Sequence, residues 1–322
     1  MKYKDYCGFQ YGYDKEEGYA IIPKRKMKPP STYFKYYSLN SNSVDALTKM
    51  YVYATHPKQF NDPFDCNEKL VKFDTWKDVH NLWEKLYDKF RKTYSSLETA
   101  CEESNKAYWN ILYKKLGLVS FASGCDNYQM WALYAQNNGF CLEFDIGKFP
   151  FLHYGPFPIN YTENIPGPIH IGDFGRNLAM LIQTNIKNEW WSYEDEWRLY
   201  VPNPTGFDLK YFGNEYETSM YNRGDEHDRK FRYPIDALKS VILGPKFFDK
   251  LVAIPVSLNE MDVACCPDIE SLEFYVLDFI ARITEKVEVD IKLAYLLDFS
   301  HYEFIPIHIL KYSDKRFRIT NL

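Results

Sequence analysis

Hydrophobic and polar positions change period several times along the chain, and each change marks an element. Over residues 74 to about 116 the period is helical. Trp76, Val79, Leu82, Trp83, Leu86 and Phe90 make one apolar stripe among Lys, Asp and Glu. A second helix is predicted over Leu97 to Lys115, with Ala107, Tyr108, Ile111 and Leu112 inward. Shorter helices are predicted at Val44–Lys49, behind the N-cap candidates Ser38 to Ser43, at Tyr128–Ala135, which Asn137-Asn138-Gly139 stops, and at Asn177–Ile186. A C-terminal helix is predicted from Asp268 to about Lys286, with Ile269, Leu272, Val276, Phe279, Ile280 and Ile283 at helical spacing. Strand-like runs lie at Thr32–Tyr37, Tyr51–Thr55, Leu118–Phe121, Phe140–Phe144, Pro158–Tyr161, Leu238–Pro245, Ile291–Leu297 and Tyr302–Leu310. Strands and helices in mixed order predict an α+β fold, with a central mixed or antiparallel sheet flanked by helices.

One stretch departs from ordinary patterning. Lys187 to Tyr200 reads KNEWWSYEDEWRLY, with acids and an arginine set among large aromatics. Read with period 2, it predicts a strand that places Glu194, Glu196 and Arg198 on one face and Tyr193, Trp197 and Leu199 on the other. Two close carboxylates repel, so one pKa rises unless a cation such as Arg198 compensates. The plain alternative is an exposed strand face with a structural Glu–Arg pair.

Composition adds limits. Aromatics make up 18% of the 322 residues, with 28 Tyr and 23 Phe, which points to an aromatic-rich core before it points to a ligand. The formal charge of −5 gives no general reason to bind nucleic acid or an anionic membrane, and Pro23 to Lys28 (PKRKMK) is a short cationic run of the kind found in solvated loops. The N-terminus lacks the apolar stretch of a signal peptide, no run is long enough to span a bilayer, and the seven cysteines show no CxxC spacing. A cytoplasmic protein with free thiols and no membrane partner is expected. Three parts are expected: an irregular N-terminal arm over 1–31 closed by Pro29-Pro30, a core over 32–257, and a C-terminal helix with strands over 258–322 packing on it. Pro202 to Asp236 reads as a polar surface excursion.

The chain holds no GxGxxG, Walker A, GxSxG or HExxH motif and no Cys/His cluster with zinc spacing, so no metal site is predicted.

Four pieces stand in a distinctive order: Tyr33-Phe34-Lys35-Tyr36; Phe60-Asn61-Asp62-Pro63-Phe64-Asp65; Ser120-Phe121 with Met130-Trp131, Tyr134-Ala135 and Gly139; and Lys187, Trp191 and Tyr193-Glu194-x-Glu196-Trp197-Arg198. In this order they resemble the bacterial DUF2971 family, over roughly residues 33 to 245. The sequence departs from that pattern at Ala122, at Leu133, in a short loop before Gly139 and in the tail beyond Leu251. The order is more distantly similar to ADP-ribosyltransferases, whose split sheet carries an early polar residue, a middle Ser/aromatic motif and a late glutamate. That likeness implies an enzyme that uses NAD as its substrate, a transferase or an NAD glycohydrolase, of the kind found among bacterial toxins and defence effectors. Its partners would be a nucleotide and a macromolecular acceptor, protein or nucleic acid.

Carried onto this chain, the likeness makes Glu196 or Glu194 the key carboxylate with Arg198 beside it. It makes Lys35, Tyr36, Asn61, Asp62, Ser120, Trp131, Tyr134 and Trp191 the cofactor-binding set. Cleaving the nicotinamide–ribose bond passes through an oxocarbenium-like cation that a carboxylate stabilises, and its loss would raise the barrier by about 3 kcal/mol or more. Aromatic faces can stack on nicotinamide or adenine, and Lys35 or Arg198 can pair with a phosphate. Plainer roles stay open: an Asx turn at Asn61-Asp62 before Pro63, core packing for Trp131 and Tyr134, and a helix-end cap for Lys187. A nucleotide-binding regulatory module without catalysis is the alternative, and a metal-dependent nuclease built on the acidic strand the third reading.

Overall fold

A computed structural model describes residues 1–83, 87–94, 96–114, 116–151, 153–202, 229–264, 271–297, 301–313 and 316–321. The fold is α+β, with helices and a mixed sheet. Contacts divide the chain into two compact units: residues 1–28, 54–120 and 152–230 make the first, and 29–53, 121–151 and 231–322 the second.

The first unit begins with a correction. The expected irregular arm contains three antiparallel strands, Lys2–Tyr6, Phe9–Asp14 and Gly18–Pro23. Gly8 and Gly18 adopt φ of 81° at the two turns, a value glycine reaches without steric cost. Alternate residues Phe9, Tyr11, Tyr19 and Ile21 enter the core. The Lys- and Tyr-rich composition hid this period-2 signal, because tyrosine serves both as a buried ring and as a polar residue. Tyr11 donates to Asn185 Oδ1 at 3.0 Å and accepts from Asn160 Nδ2 at 3.0 Å, so its buried hydroxyl is satisfied.

The predicted helical stripes fold as the helices Trp76–Trp83 and Leu97–Lys114; Leu86 lies outside the described residues. Val79, Leu82, Tyr108 and Trp109 pack with Leu116, Leu118 and the Arg176–Asn185 helix residues Ala179 to Ile182. In this unit the Glu196–Pro202 strand neighbours the Leu116–Ala122 and Tyr154–Pro158 strands. Of the expected surface excursion, residues 203–228 lie outside the described residues. Its far end is a correction: Arg229 and Tyr233 are buried. Arg229 is drawn inward because its guanidinium donates to the carbonyls of Ala54 (3.0 Å) and Leu116 (3.1 Å).

In the second unit the strand order is Tyr302–Pro306, Asp290–Leu296, Leu238–Leu243, Phe140–Phe144, Tyr33–Tyr37, with only the Leu238–Leu243/Asp290–Leu296 pair parallel. Asn40 caps the Ser41–Thr48 helix in a capping box with Ser43. Gly139 is required where it stands: a Cβ there would run into the carbonyl oxygens of Tyr37 and Ala135. The run expected as one strand over Tyr302–Leu310 is two, Tyr302–Pro306 and His308–Ser313, which belong to different sheets. Proline at 306 has no N–H with which to extend the ladder. The Val252–Ser257 and Glu260–Ala264 hairpin was not legible in the sequence. It joins Arg316–Thr320 and His308–Ser313 in a four-stranded sheet, where Phe317 meets Phe274 of the Leu272–Thr284 helix. Among the described residues no helix is long and apolar enough to cross a membrane.

Candidate functional site

The Lys187–Tyr200 stretch is not one strand. It runs as a short strand, Ile186–Asn188, a 3₁₀ turn, Glu189–Glu194, a left-handed Asp195 (φ 41°, ψ 50°), and the Glu196–Pro202 strand. Glu194 therefore ends a turn and does not share a strand face with Glu196 and Arg198. Nor is that face exposed: every residue of Glu196–Pro202 is buried, with Arg198 wholly so. The period-2 reading failed because Glu189–Glu194 coils into a 3₁₀ turn that the left-handed Asp195 ends, and the charged face closes on partners from distant segments.

Those partners are Asp65 and Lys187. The five guanidinium N–H groups of Arg198 are all engaged. Nε donates to Glu196 Oε1 (2.9 Å), and Nη2 to Glu196 Oε2 (3.0 Å) and Asp65 Oδ2 (2.9 Å). Nη1 donates to Asp65 Oδ1 (3.1 Å) and to the carbonyl of Thr184 (2.6 Å), near the C-terminus of the Arg176–Asn185 helix, where a cation is favoured. The Phe60 ring lies 4.7 Å from the guanidinium carbon. Lys187 donates to Glu194 Oε2 (2.5 Å) and Glu196 Oε2 (3.2 Å), lies 3.7 Å from Asp65 Oδ2, and stands 5.0 Å from the Trp191 ring. It is a member of the network rather than a helix-end cap. The Glu196 N–H donates to the Tyr161 hydroxyl (3.0 Å), and the Ser120 side chain is bonded to the Glu196 carboxylate from the neighbouring strand.

Three carboxylates face two cations in this buried cluster, leaving one negative charge in excess. Burial pushes the Glu196 carboxyl up, but Arg198, Lys187 and the hydrogen bonds outweigh it and hold it down at about 2. Burial likewise works against charged Lys187, and Glu196, Glu194 and Asp65 overcome it, so its pKa is raised. The Cys66 thiol, 3.7 Å from Arg198 Nη1, is raised by burial and by Asp65. Glu196 is thus a fixed anion, and Arg198 has no donor left for a phosphate, which corrects that expectation.

Asp65 also forms one wall of a cleft of about 350 Å³, lined with Pro57, Lys58, Phe60, Asp62, Cys66 and Lys69 among others. Asp62 makes the Asx turn, its Oδ1 accepting from the Phe64 N–H at 2.9 Å, while Asn61 is exposed.

The remaining candidates belong to the second unit. Tyr36 donates to the Gly124 carbonyl (3.1 Å) and meets Trp131 edge-on at 5.2 Å. Trp131 is fully buried and donates Nε1–H to the Cys125 carbonyl (2.8 Å). Both are core residues with no open ring face, which corrects their assignment as a stacking surface. Tyr134 is the half-buried C-cap of the Tyr128–Leu133 helix, and Lys35 lies 5.6 Å from the Tyr37 ring. Within one unit, then, the structure joins Ser120, Glu194, Glu196 and Arg198, with Trp191 reached through Lys187; Tyr36 and Trp131 form a separate pair. Among the described residues no His, Cys, Asp or Glu group is arranged to hold a metal ion.

Residues 130–199 match the model of DUF2971, described as a protein of unknown function. The DUF2971 segment contains the Trp131 motif, Lys187, both glutamates and Arg198, whereas Asp65, the partner that completes the network, lies upstream of it. No curated protein and no solved structure matches the chain.

Asp65 was visible only as the last letter of the Phe60–Asp65 motif, and Lys187 only as the start of the late motif. Nothing in the sequence couples positions 133 residues apart, the separation between Asp65 and Arg198.

Proposed function

We propose that the first unit binds a nucleotide in the cleft beside Asp65. The observation that carries this reading is the composition of the cleft wall, where the Phe60 ring, Lys58 and Lys69, and the carboxylates Asp62 and Asp65 surround about 350 Å³. That volume falls within the range of small-molecule sites, roughly 300–1,000 Å³. An aromatic edge suits a base, ammonium groups suit phosphates, and carboxylates suit amino or hydroxyl donors. The network behind Asp65 supports a rigid seat: Arg198 holds both Asp65 oxygens, so the wall is set before a ligand arrives. Saturation of Arg198 and burial of Glu196 favour binding over turnover.

NAD cleavage is the second reading, in which NAD is the nucleotide and a protein or nucleic acid the acceptor. The Ser120–Glu196 hydrogen bond favours it, since it joins the middle and late motifs of the ADP-ribosyltransferase-like order around an ionised glutamate.

Calorimetric titration of the purified protein with NAD, ADP-ribose and ATP tests binding, and nicotinamide release, with and without cell lysate, tests turnover. Binding without release is expected. Absence of heat with all three ligands would overturn the nucleotide reading. Release that Glu196→Gln abolishes would move the second reading to the front.

A further inference from the structure

Asp62 is 5% exposed, lines the cleft, and divides its two oxygens unequally. Oδ1 accepts from the Phe64 N–H and holds the Asx turn. Oδ2 is buried, and among the described residues no donor reaches it. A buried carboxylate oxygen without a donor is costly, and nearly all such groups in folded proteins are satisfied by something. The neighbouring Asp65 oxygens, by contrast, are both taken by Arg198. Asp62 Oδ2 is therefore a buried acceptor without a donor, on a residue that lines the cleft.

We propose that Asp62 Oδ2 accepts a hydrogen bond from the exocyclic amine of an adenine ring, making Asp62 the residue that selects the base. This inference rests on the nucleotide reading above and names the ligand's class. Three features lead to it. The acceptor is buried on a residue of the cleft wall, so a ligand seated in the cleft can supply its donor. The wall around it includes Pro57, Phe60 and Pro63, an apolar lining that a flat ring can fill. Only one Asp62 oxygen is without a donor, and this favours adenine: its amine is matched by one oxygen, whereas the two adjacent N–H donors of guanine are both matched only by two.

The geometry supplies a clean perturbation. In Asp62→Asn the amide oxygen can replace Oδ1 and keep the Asx turn, while the amide nitrogen replaces Oδ2 and turns an acceptor into a donor. Inosine differs from adenosine by the matching exchange, a carbonyl in place of the amine. Calorimetry of ATP and ITP with wild-type protein is expected to show ATP binding tighter by about tenfold or more, the scale of a hydrogen bond to a charged group. Asp62→Asn, with an unchanged melting temperature as the folding check, is expected to reverse the order. Equal affinity of the wild type for ATP and ITP overturns base selection while leaving nucleotide binding in place, and that comparison requires no variant to fold. Loss of affinity for 2′-deoxy-ATP without base discrimination would assign Oδ2 to the ribose and likewise overturn the proposal. No binding of ATP, ITP or NAD fails the nucleotide reading itself.

Discussion

Replacing Arg198 with leucine tests whether the buried network holds the first unit together. The substitution removes five N–H donors at once and leaves Asp65, Glu194 and Glu196 facing Lys187 alone, so the excess negative charge grows from one to two. The Thr184 carbonyl loses its charged donor, and the Asp65 carboxylate keeps only the Cys66 thiol at 3.3 Å and Lys187 at 3.7 Å, all of them buried. Removing one partner of a buried ion pair costs about 3–5 kcal/mol. At about 2–4 °C per kcal/mol for a chain somewhat shorter than this one, the melting temperature should fall by about 6 to 20 °C. Differential scanning calorimetry of wild type, Arg198→Leu and Arg198→Lys gives the answer. Lysine keeps the charge but offers three donors on a flexible stem in place of a planar fork of five, so it should recover only part of the loss. A double-mutant cycle with Asp65→Asn should show coupling of about 0.5–3 kcal/mol. A leucine variant melting within about 2 °C of wild type would refute the reasoning, since the network would then contribute specificity or function but little stability.

Acid should lower the stability of the fold over two pH windows. His56 is pulled down to about 4 from 6.5 by burial, Arg229 and Lys58, so its contribution is present above pH 6.5 and is lost as pH falls toward 4. Glu196, at about 2 against 4.5, contributes above pH 4.5 and is lost from there toward pH 2; urea midpoints against pH should show both declines, and His56→Gln should flatten the first. Gly139→Ala should destabilise by about 1–3 kcal/mol or more in urea unfolding, because its Cβ meets backbone, whereas Gly167→Ala, with open space around it, should be neutral.

Particular elements show what was legible. The helices at Trp76, Leu97, Tyr128 and Arg176 and the strands at Phe140 and Leu238 follow from local periodicity and capping, which need only neighbours in sequence. The N-terminal strands escaped because tyrosine is ambiguous in a polar-looking run. Val252–Ser257 escaped because its residues are exposed on both faces and give no alternation. At the site, residue types were readable and their geometry was not. Glu196, Arg198 and Ser120 were named as candidates, but the turn at Asp195 that separates Glu194 from the strand depends on a positive φ at a non-glycine residue, which local propensity disfavours.

The sequence by itself determined the α+β class and most of the helices, because those depend on spacing along the chain, and it offered Glu194, Glu196 and Arg198 as candidates. Only the tertiary structure decided that Arg198 is a saturated core cation rather than a phosphate ligand, that Lys187 joins it, and that Asp62, on the cleft wall, keeps a buried acceptor without a donor among the described residues. Each of these depends on which groups from distant segments meet in a low-dielectric interior. There the state and availability of a charge are set by its partners and not by its type.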